Sequence, residues 1–263
     1  MNDQHQGEQP GQAADSIPMI APERSCLIVL EGIDLSGRTT QVQLLRDWLL
    51  AQHYTVTTTG WRTSPLISDI LTRAGTALRP LTYSLLFSAD HLDRTQQIIK
   101  PALARSEIVL ADRYIYTAFA RDTARGIDPT WVHNLYRYSV QPNIVFYLHI
   151  SPEEAVKRRL ALQQQRLNIL SSQKEHSSPK NGKGDGKQEH KHGKSGPSSA
   201  LTTSSPSLTK EALESFRKFE MNMYNAYQQM QKDFGFTVIE GNQPINQVQA
   251  TLRRAVMHRL LEV

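Results

Sequence analysis

Residues 32–39 read Gly-Ile-Asp-Leu-Ser-Gly-Arg-Thr and restrict the fold more than any other segment of the chain. Their spacing matches the phosphate-binding loop Gly-x-x-x-x-Gly-Lys-Ser/Thr, with Arg38 in place of the lysine. The apolar run from Cys26 to Leu30 predicts a buried strand before the loop, and apolar residues at helical spacing follow over 39–51. A strand, a glycine loop and a helix in this order predict a nucleoside triphosphate site. A plain glycine turn is the weaker alternative.

The chemistry of this loop follows from its residue types. Gly32 and Gly37 permit backbone angles that turn several N–H groups toward one concave face. The helix that follows adds the positive end of its dipole, which favours a bound phosphate. The hydroxyl group of Thr39 is placed to ligate a Mg²⁺ ion carried by the phosphates.

A second pair of polar residues, Asp112 and Arg113, follows another apolar run at 108–111. An aspartate at the end of a strand can hold Mg²⁺ directly or through water, as it does in P-loop enzymes. The planar guanidinium of an arginine beside it can grip a phosphate. An ion pair at the surface is the alternative, but the neighbouring phosphate loop favours a functional pair.

Apolar strands alternate with helical patterns along the chain, which predicts a parallel sheet covered on both faces. We therefore expect an α/β fold of the P-loop NTPase type, a three-layer sandwich with a five-stranded parallel sheet. The predicted strands are 26–30, 54–59, 108–111, 143–150 and 236–239. The predicted helices are 39–51, 65–71, 82–104 (interrupted at most near Lys100-Pro101), 116–125, 129–138, 152–167, 208–234 and 247–261. The ligand of such a sheet lies at the carboxyl ends of its strands, where Asp112 and the loop both fall.

The net charge of +5 does not indicate a nucleic-acid-binding face. Residues 171–210 carry seven lysines against three acidic residues, so most of the excess lies in one low-complexity segment. We predict a flexible insertion at 171–207, a disordered tail at 1–23 and a single domain over 24–263. The single cysteine, the absence of a membrane-length apolar run and a polar N-terminus favour a cytoplasmic protein without a membrane partner.

Four motifs together resemble the thymidylate kinase family. They are Glu31-Gly-Ile-Asp-Leu-Ser-Gly-Arg-Thr-Thr-Gln41, Leu86-Phe-Ser-Ala-Asp90 with Ile99-Lys-Pro-Ala-Leu103, Asp112-Arg113-Tyr114 followed by Thr117, and the segment 142–152. The resemblance implies transfer of a phosphoryl group from ATP to thymidine monophosphate, with Mg²⁺. It also implies a mobile lid and a homodimer.

The resemblance assigns roles to individual residues. ATP would be bound by Gly32, Ile33, Asp34, Leu35, Ser36, Gly37, Arg38, Thr39 and Thr40, and the metal by Thr39 and Asp112. The acceptor nucleotide would contact Asp34 near its sugar, Phe87 under its base and Arg113 at its phosphate, together with His91, Arg94, Tyr114 and Thr117. The catalytic residues would be Arg38, Asp112, Arg113 and, from the group Arg158, Arg159 and Arg166 before the insertion, Arg166.

The sequence departs from the family pattern around the same site. Arg38 replaces the loop lysine, and His91 replaces an arginine that reads the base, although Arg94 lies one turn later and could substitute. His149 stands where the fourth strand usually ends in aspartate, and Thr59-Gly-Trp-Arg62 replaces Thr-Arg-Glu-Pro. Two alternatives to a thymidylate kinase therefore stay open: a kinase for another nucleotide or nucleoside, and a catalytically weakened nucleotide-binding protein.

Overall fold

A parallel β-sheet organises the chain, of which the computed structural model describes residues 25–74, 77–176 and 209–261. In these ranges the sheet has five strands: β1 (Cys26–Glu31), β2 (Val56–Gly60), β3 (Ile108–Asp112), β4 (Ile144–His149) and β5 (Thr237–Glu240). All neighbouring strands pair in parallel, in the order β2-β3-β1-β4-β5. The predicted five-stranded parallel sheet is confirmed.

Helices follow the strands as the apolar periodicity predicts. They are α1 (Arg38–Ala51), α2 (Pro65–Ala74), α3 (Pro80–Arg94), α4 (Lys100–Ala104), α5 (Ile115–Ala124), α6 (Pro129–Leu135), α7 (Pro152–His176), α8 (Lys210–Phe234) and α9 (Ile245–Leu261). Helix α6 ends three residues before the predicted end at Tyr138. Among the described helices, none combines the length and apolar character needed to cross a membrane.

Helix α7 ends later than the sequence predicted. The prediction ended this helix near Leu167 and began a flexible insertion at Ser171, but the helix continues to His176. The added residues include Gln173, Lys174 and Glu175, which favour helices, and contain neither glycine nor proline. The rest of the predicted insertion and the predicted N-terminal tail lie outside the described residues.

The helix predicted over 82–104 is not uniform. A five-residue π-helical segment, Thr95–Ile99, joins α3 to α4. Here the N–H of Lys100 donates to the carbonyl of Thr95, five residues back, and the next residue, Pro101, has no N–H to donate. The interruption therefore begins before the Lys100-Pro101 position that the sequence indicated.

Two apolar layers cover the two faces of the sheet. On one face, Leu27 and Val29 pack with residues of α5 and α8, including Tyr227. On the other, Ile28 and Leu30 pack with residues of α1 and α9. Because side chains alternate along a strand, a strand buried on both faces is apolar throughout. This packing fixes β1 beside β3, with Leu30 opposite Asp112, so that the phosphate loop and the strand-end aspartate share one edge.

Candidate active site

The phosphate loop joins β1 to α1, and its shape depends on glycine at the first position. Gly32 has φ of +147°, and a Cβ there would lie 2.7 Å from the carbonyl oxygen of Leu148 and 2.8 Å from Oγ of Ser36. Gly37, with φ of +96°, caps α1 without any side-chain hydrogen bond. The first N–H groups of α1 are therefore not capped by a side chain, and such groups bind anions.

Arg38, the unusual residue of the loop, lies almost completely buried beneath it. Its Nη1 donates to the carbonyl oxygens of Gly32 at 2.5 Å and Ile33 at 2.7 Å and to Oγ of Ser36 at 3.2 Å. Its Nε pairs with Oδ1 of Asp112 at 3.2 Å. One guanidinium thus ties the loop to itself and to β3, which a lysine ammonium, with its compact charge, cannot do in the same geometry.

Thr39 and Asp112, the predicted metal ligands, meet in the structure. Oγ1 of Thr39 donates to Oδ2 of Asp112 at 2.5 Å. No group of three or more acidic, histidine or cysteine side chains among the described residues could hold a metal ion. A hydroxyl and one carboxylate nevertheless suit Mg²⁺, which takes oxygen ligands and keeps water and phosphate oxygens in the remaining positions.

Arg113 faces the loop from the start of the segment that leads into α5. Its backbone takes a left-handed conformation with φ of 72°, and its N–H donates to the carbonyl of Leu30 at 3.0 Å. The guanidinium forms an ion pair with the carboxylate of Asp34 and donates to Oγ1 of Thr117 at 3.1 Å. The structure therefore brings the candidate acceptor arginine to the phosphate loop, as the order of the strands requires.

Glu31 anchors this region, although the sequence motifs assigned it no role. Its buried carboxylate accepts from the N–H groups of Tyr114 at 2.8 Å and Thr117 at 3.2 Å. It also accepts from the hydroxyls of Thr117 at 2.6 Å and Tyr227 at 2.7 Å. Burial raises the pKa of Glu31, while the hydrogen bonds from Thr117 and Tyr227 oppose that rise. The sequence signal that could have identified Glu31 is an acidic residue at the end of an otherwise apolar strand.

Phe87 lies in an aromatic group formed by α3 and the turn after β2. Its ring centroid is 4.5 Å from that of Tyr83 and 4.8 Å from that of Trp61. The guanidinium carbon of Arg121 lies 4.3 Å from the Phe87 centroid, and Asp122 holds that guanidinium through contacts of 2.6 and 2.9 Å. Beside this group is a cavity of about 590 Å³ lined by Arg62, Leu71, Thr72, Leu78, Pro80, Tyr83, Phe87 and Arg125.

The other candidate substrate residues of α3 are buried. Nε2 of His91 lies 2.8 Å from Oγ of Ser139, and burial with the nearby Arg94 charge lowers the pKa of His91 to about 3. Arg94 is fully buried, with Nε on Asp90 at 3.0 Å and Nη1 on Thr59 at 3.1 Å. Its Nη2 has no hydrogen-bond partner among the described residues.

Two further sequence candidates do not face the phosphate loop: Tyr114 is buried in the core, and Arg166 lies on the exposed surface of α7. The hydroxyl of Tyr114 donates to the carbonyl of Val140 at 2.8 Å in the core. Arg166 is exposed on α7. Arg158, two turns earlier, donates to the carbonyls of Leu35 and Gly241, each at 3.0 Å. The arginine that touches the phosphate loop from α7 is therefore Arg158.

This geometry and sheet order define a P-loop phosphotransferase, with its phosphate loop after β1 and an Asp-Arg pair at the end of the neighbouring strand β3. The family model for thymidylate kinase matches residues 30–180. The chain is 31% identical to a probable thymidylate kinase 2 of Saccharolobus solfataricus over 240 residues, covering 88% of this chain and 95% of that protein. This chain therefore belongs to the thymidylate kinase family.

Shorter matches agree with this assignment. The chain is 34% identical to a probable thymidylate kinase of Thermococcus onnurineus over 142 residues, which is 50% of this chain and 69% of that protein. It is 37% identical to a thymidylate kinase of Prosthecochloris aestuarii over 142 residues, which is 51% of this chain and 64% of that protein.

Proposed function

We propose that this chain transfers the γ-phosphoryl group of ATP to thymidine monophosphate (dTMP), giving ADP and thymidine diphosphate. Membership of the thymidylate kinase family supports this activity over a kinase for another nucleotide or a weakened nucleotide-binding protein. The observation that carries the proposal is the meeting of Arg38, Thr39 and Asp112 at the loop, with Arg113 beside them. Transfer of a phosphoryl group depends mainly on positioning and charge neutralisation, which these residues provide.

On the donor side, the N–H groups of residues 32–40 and the start of α1 would bind the ATP phosphates. Arg38 would add positive charge next to them while it holds the loop in shape. Thr39 and Asp112 would hold Mg²⁺, which when bound neutralises phosphate charge. The replacement of lysine by Arg38 is therefore compatible with an active enzyme.

On the acceptor side, Arg113 would bind the dTMP phosphate, and Phe87, whose ring lies under the Arg121 guanidinium, would stack on thymine. We assign Asp34 to the acceptor as well, because its carboxylate pairs with Arg113. His91, Arg94, Tyr114 and Thr117 would act by fixing these groups, since their polar atoms bond mainly inside the protein. Those contacts are His91 to Ser139, Arg94 to Asp90, Tyr114 to Val140 and Thr117 to Glu31.

Two arginines of α7 would have different tasks. Arg158 would connect the base of α7 to the loop through the Leu35 carbonyl. The exposed Arg166 remains the predicted lid arginine that neutralises charge in the transition state.

An exposed apolar face of α3 supports the proposed homodimer. Leu81, Leu85 and Leu92 are 55%, 49% and 47% exposed, and their spacing of four and seven residues puts them on one helical face. An exposed apolar stripe of this kind favours association. We expect a dimer in light scattering and a monomer for Leu85→Glu. A monomeric wild-type protein would refute the proposed homodimer.

We also propose that the protein is cytoplasmic.

A panel assay tests the activity. The purified protein is mixed with ATP, Mg²⁺ and one nucleoside monophosphate at a time, and ADP release is measured. We expect the highest kcat/KM for dTMP. Turnover confined to another acceptor would contradict the proposed substrate. ATP binding without turnover on any acceptor would contradict the proposed reaction.

A further inference from the structure

The cavity beside Phe87 has two guanidinium groups on its wall, those of Arg62 and Arg125, and its other lining side chains are mainly apolar or aromatic. No residue of the phosphate loop lines this cavity, and neither does Arg113. A nucleotide held by its phosphate at Arg113 would therefore place in the cavity the part that lies farthest from the phosphate. That part is the outer edge of the base.

The outer edge of thymine carries a carbonyl oxygen at position 4 beside a methyl group. The other carbonyl, at position 2, adjoins the ring nitrogen that bears the sugar. A carbonyl oxygen that is buried without a donor loses its hydrogen bonds to water and gains nothing in exchange. The outer edge therefore needs an apolar wall together with one hydrogen-bond donor.

The two α3 residues that the family resemblance offered for contact with the base do not line the cavity. His91 is directed to Ser139, with 2.8 Å between its Nε2 and the serine Oγ. Arg94 is fully buried and binds Asp90 and Thr59. The donor to the outer edge must therefore come from another residue.

The backbone of Arg62 is held in an uncommon conformation next to the cavity. Its φ is 63°, in the left-handed region that residues other than glycine rarely adopt. Its N–H donates to Oδ2 of Asp90 at 3.2 Å, and the N–H of Ser64 donates to Oδ1 of Asp90 at 3.0 Å. Nε of Arg94 holds the same carboxylate at 3.0 Å. Backbone strain of this kind persists where the surrounding structure imposes it, and it is frequent at functional sites.

The Arg62 guanidinium is exposed and has donors to spare. Among the described residues it makes one hydrogen bond, from Nη2 to Oγ1 of Thr72 at 3.3 Å, although an arginine side chain has five N–H groups. The guanidinium carbon of Arg125 instead lies 4.4 Å from the ring centroid of Tyr83 and 5.7 Å from that of Phe219, where the rings stabilise its charge. Arg62 is therefore the better donor to a ligand in the cavity.

We infer that Arg62 donates a hydrogen bond to the carbonyl oxygen at position 4 of thymine and is a specificity-determining residue for the acceptor base. The inference rests on the proposed function, which supplies the identity of the acceptor. A base with an amino group at position 4 would bring two donors together and would bind less well. The buried pair of Asp90 and Arg94 acts on the base indirectly, because it positions the backbone of Arg62.

The test compares dTMP with 5-methyl-2′-deoxycytidine monophosphate, which has an amino group at position 4 and keeps the methyl group. For each nucleotide, Kd is measured by calorimetry and kcat/KM by ADP release. A hydrogen bond from a charged group changes affinity by about 10- to 100-fold, so wild type should prefer dTMP by at least ~10-fold. In Arg62→Leu this preference should fall at least ~5-fold, mainly through weaker binding of dTMP, and a smaller fall would overturn the inference.

Two further variants control the comparison. Arg125→Leu removes the other guanidinium of the cavity and should keep the wild-type preference; loss of the preference in Arg125→Leu but not in Arg62→Leu would overturn the inference. Because Arg62 is exposed, Arg62→Leu should fold and bind ATP as wild type does. If it does not fold, Arg62→Gln takes its place, since a neutral amide is a weaker donor than a guanidinium. An unchanged preference in Arg62→Gln would then overturn the inference, and a reduced one would support it.

The remaining outcomes separate this inference from the proposed function. Equal use of the two nucleotides by wild type would overturn the inference and leave the proposed reaction intact. Selective binding of dTMP that is lost in Arg62→Leu, without phosphorylation of either nucleotide, would contradict the reaction and support the role of Arg62. A preference for the methylcytosine nucleotide, or failure to bind either nucleotide, would overturn both.

Discussion

Replacing Glu220 with glutamine should stabilise the protein, and the gain should depend on pH. Glu220 lies on α8 with its side chain buried, and its Oε2 accepts from the N–H of Asp34 at 3.0 Å. Burial, together with the negative charge of Asp34, raises the pKa of Glu220 from 4.5 to about 7. The Glu220 carboxyl therefore binds its proton more tightly in the folded protein than in the unfolded chain. The stability that this difference contributes is fully present below the unfolded pKa of 4.5 and is lost as the pH rises through about 7.

The size of the effect follows from that interval. A tenfold change in proton affinity corresponds to about 1.4 kcal/mol, so the wild-type protein should lose about 3 kcal/mol between pH 4.5 and 7. Glutamine does not ionise, and its carbonyl can still accept from the Asp34 N–H. The free energy of unfolding of Glu220→Gln relative to wild type should therefore increase by about 3 kcal/mol over this range, or roughly 6–12 °C in Tm.

Urea unfolding without nucleotide, followed by tryptophan fluorescence at several pH values from about 5 to 8, measures this difference. Glu214→Gln on the same helix provides the matched control, because Glu214 is exposed and should give no pH-dependent change. A stability difference between Glu220→Gln and wild type that stays constant with pH would refute the reasoning. It would show that the Glu220 carboxyl is ionised at little cost in the folded protein.

Four other predictions, two of which include a comparison variant, test the site. Gly32→Ala should weaken ATP binding at least ~10-fold in calorimetry, because the new Cβ would lie 2.7 Å from a backbone oxygen; unchanged affinity would contradict the loop geometry. Arg113→Ala should raise the Kd of dTMP by ~100-fold and that of ATP by less than ~3-fold, and equal losses would disprove its assignment to the acceptor. Thr39→Val should raise the Mg²⁺ concentration for half-maximal rate ~10-fold while Thr39→Ser does not, and identical Mg²⁺ curves would exclude Thr39 as a ligand. Arg166→Ala should lower kcat at least ~10-fold without changing Tm, whereas Arg158→Ala should also lower Tm; an unchanged kcat in Arg166→Ala would remove it from the mechanism.

Local patterns were sufficient to predict the elements that carry the site. The apolar run of β1, the glycine spacing of the loop and the position of Asp112 after β3 each depend on a few adjacent residues. Because the carboxyl ends of neighbouring parallel strands meet at one edge, these local features also predicted that Thr39 and Asp112 come together, which the structure shows.

The contacts made by distant helices were not predictable in the same way. Tyr227 reaches Glu31 across 196 positions of the chain, and Glu220 reaches Asp34 across 186. Helical periodicity places both residues on α8 but does not say which strand or loop α8 will cover. His91 shows the same limit, because its partner Ser139 lies beyond α6 and no spacing rule connects them.

Arg38 has a consequence for how ATP binding is divided between enthalpy and entropy. Its bonds to the Gly32 and Ile33 carbonyls hold the loop in its curved form without help from a nucleotide. A loop that is already ordered loses little conformational freedom when phosphates arrive, so more of the contact energy remains as affinity. In a chain with lysine at this position, the nucleotide itself would have to contribute more of that ordering. Arg38 therefore preorganises this loop for phosphate binding. It stabilises the bound conformation in the free protein as well as in the complex.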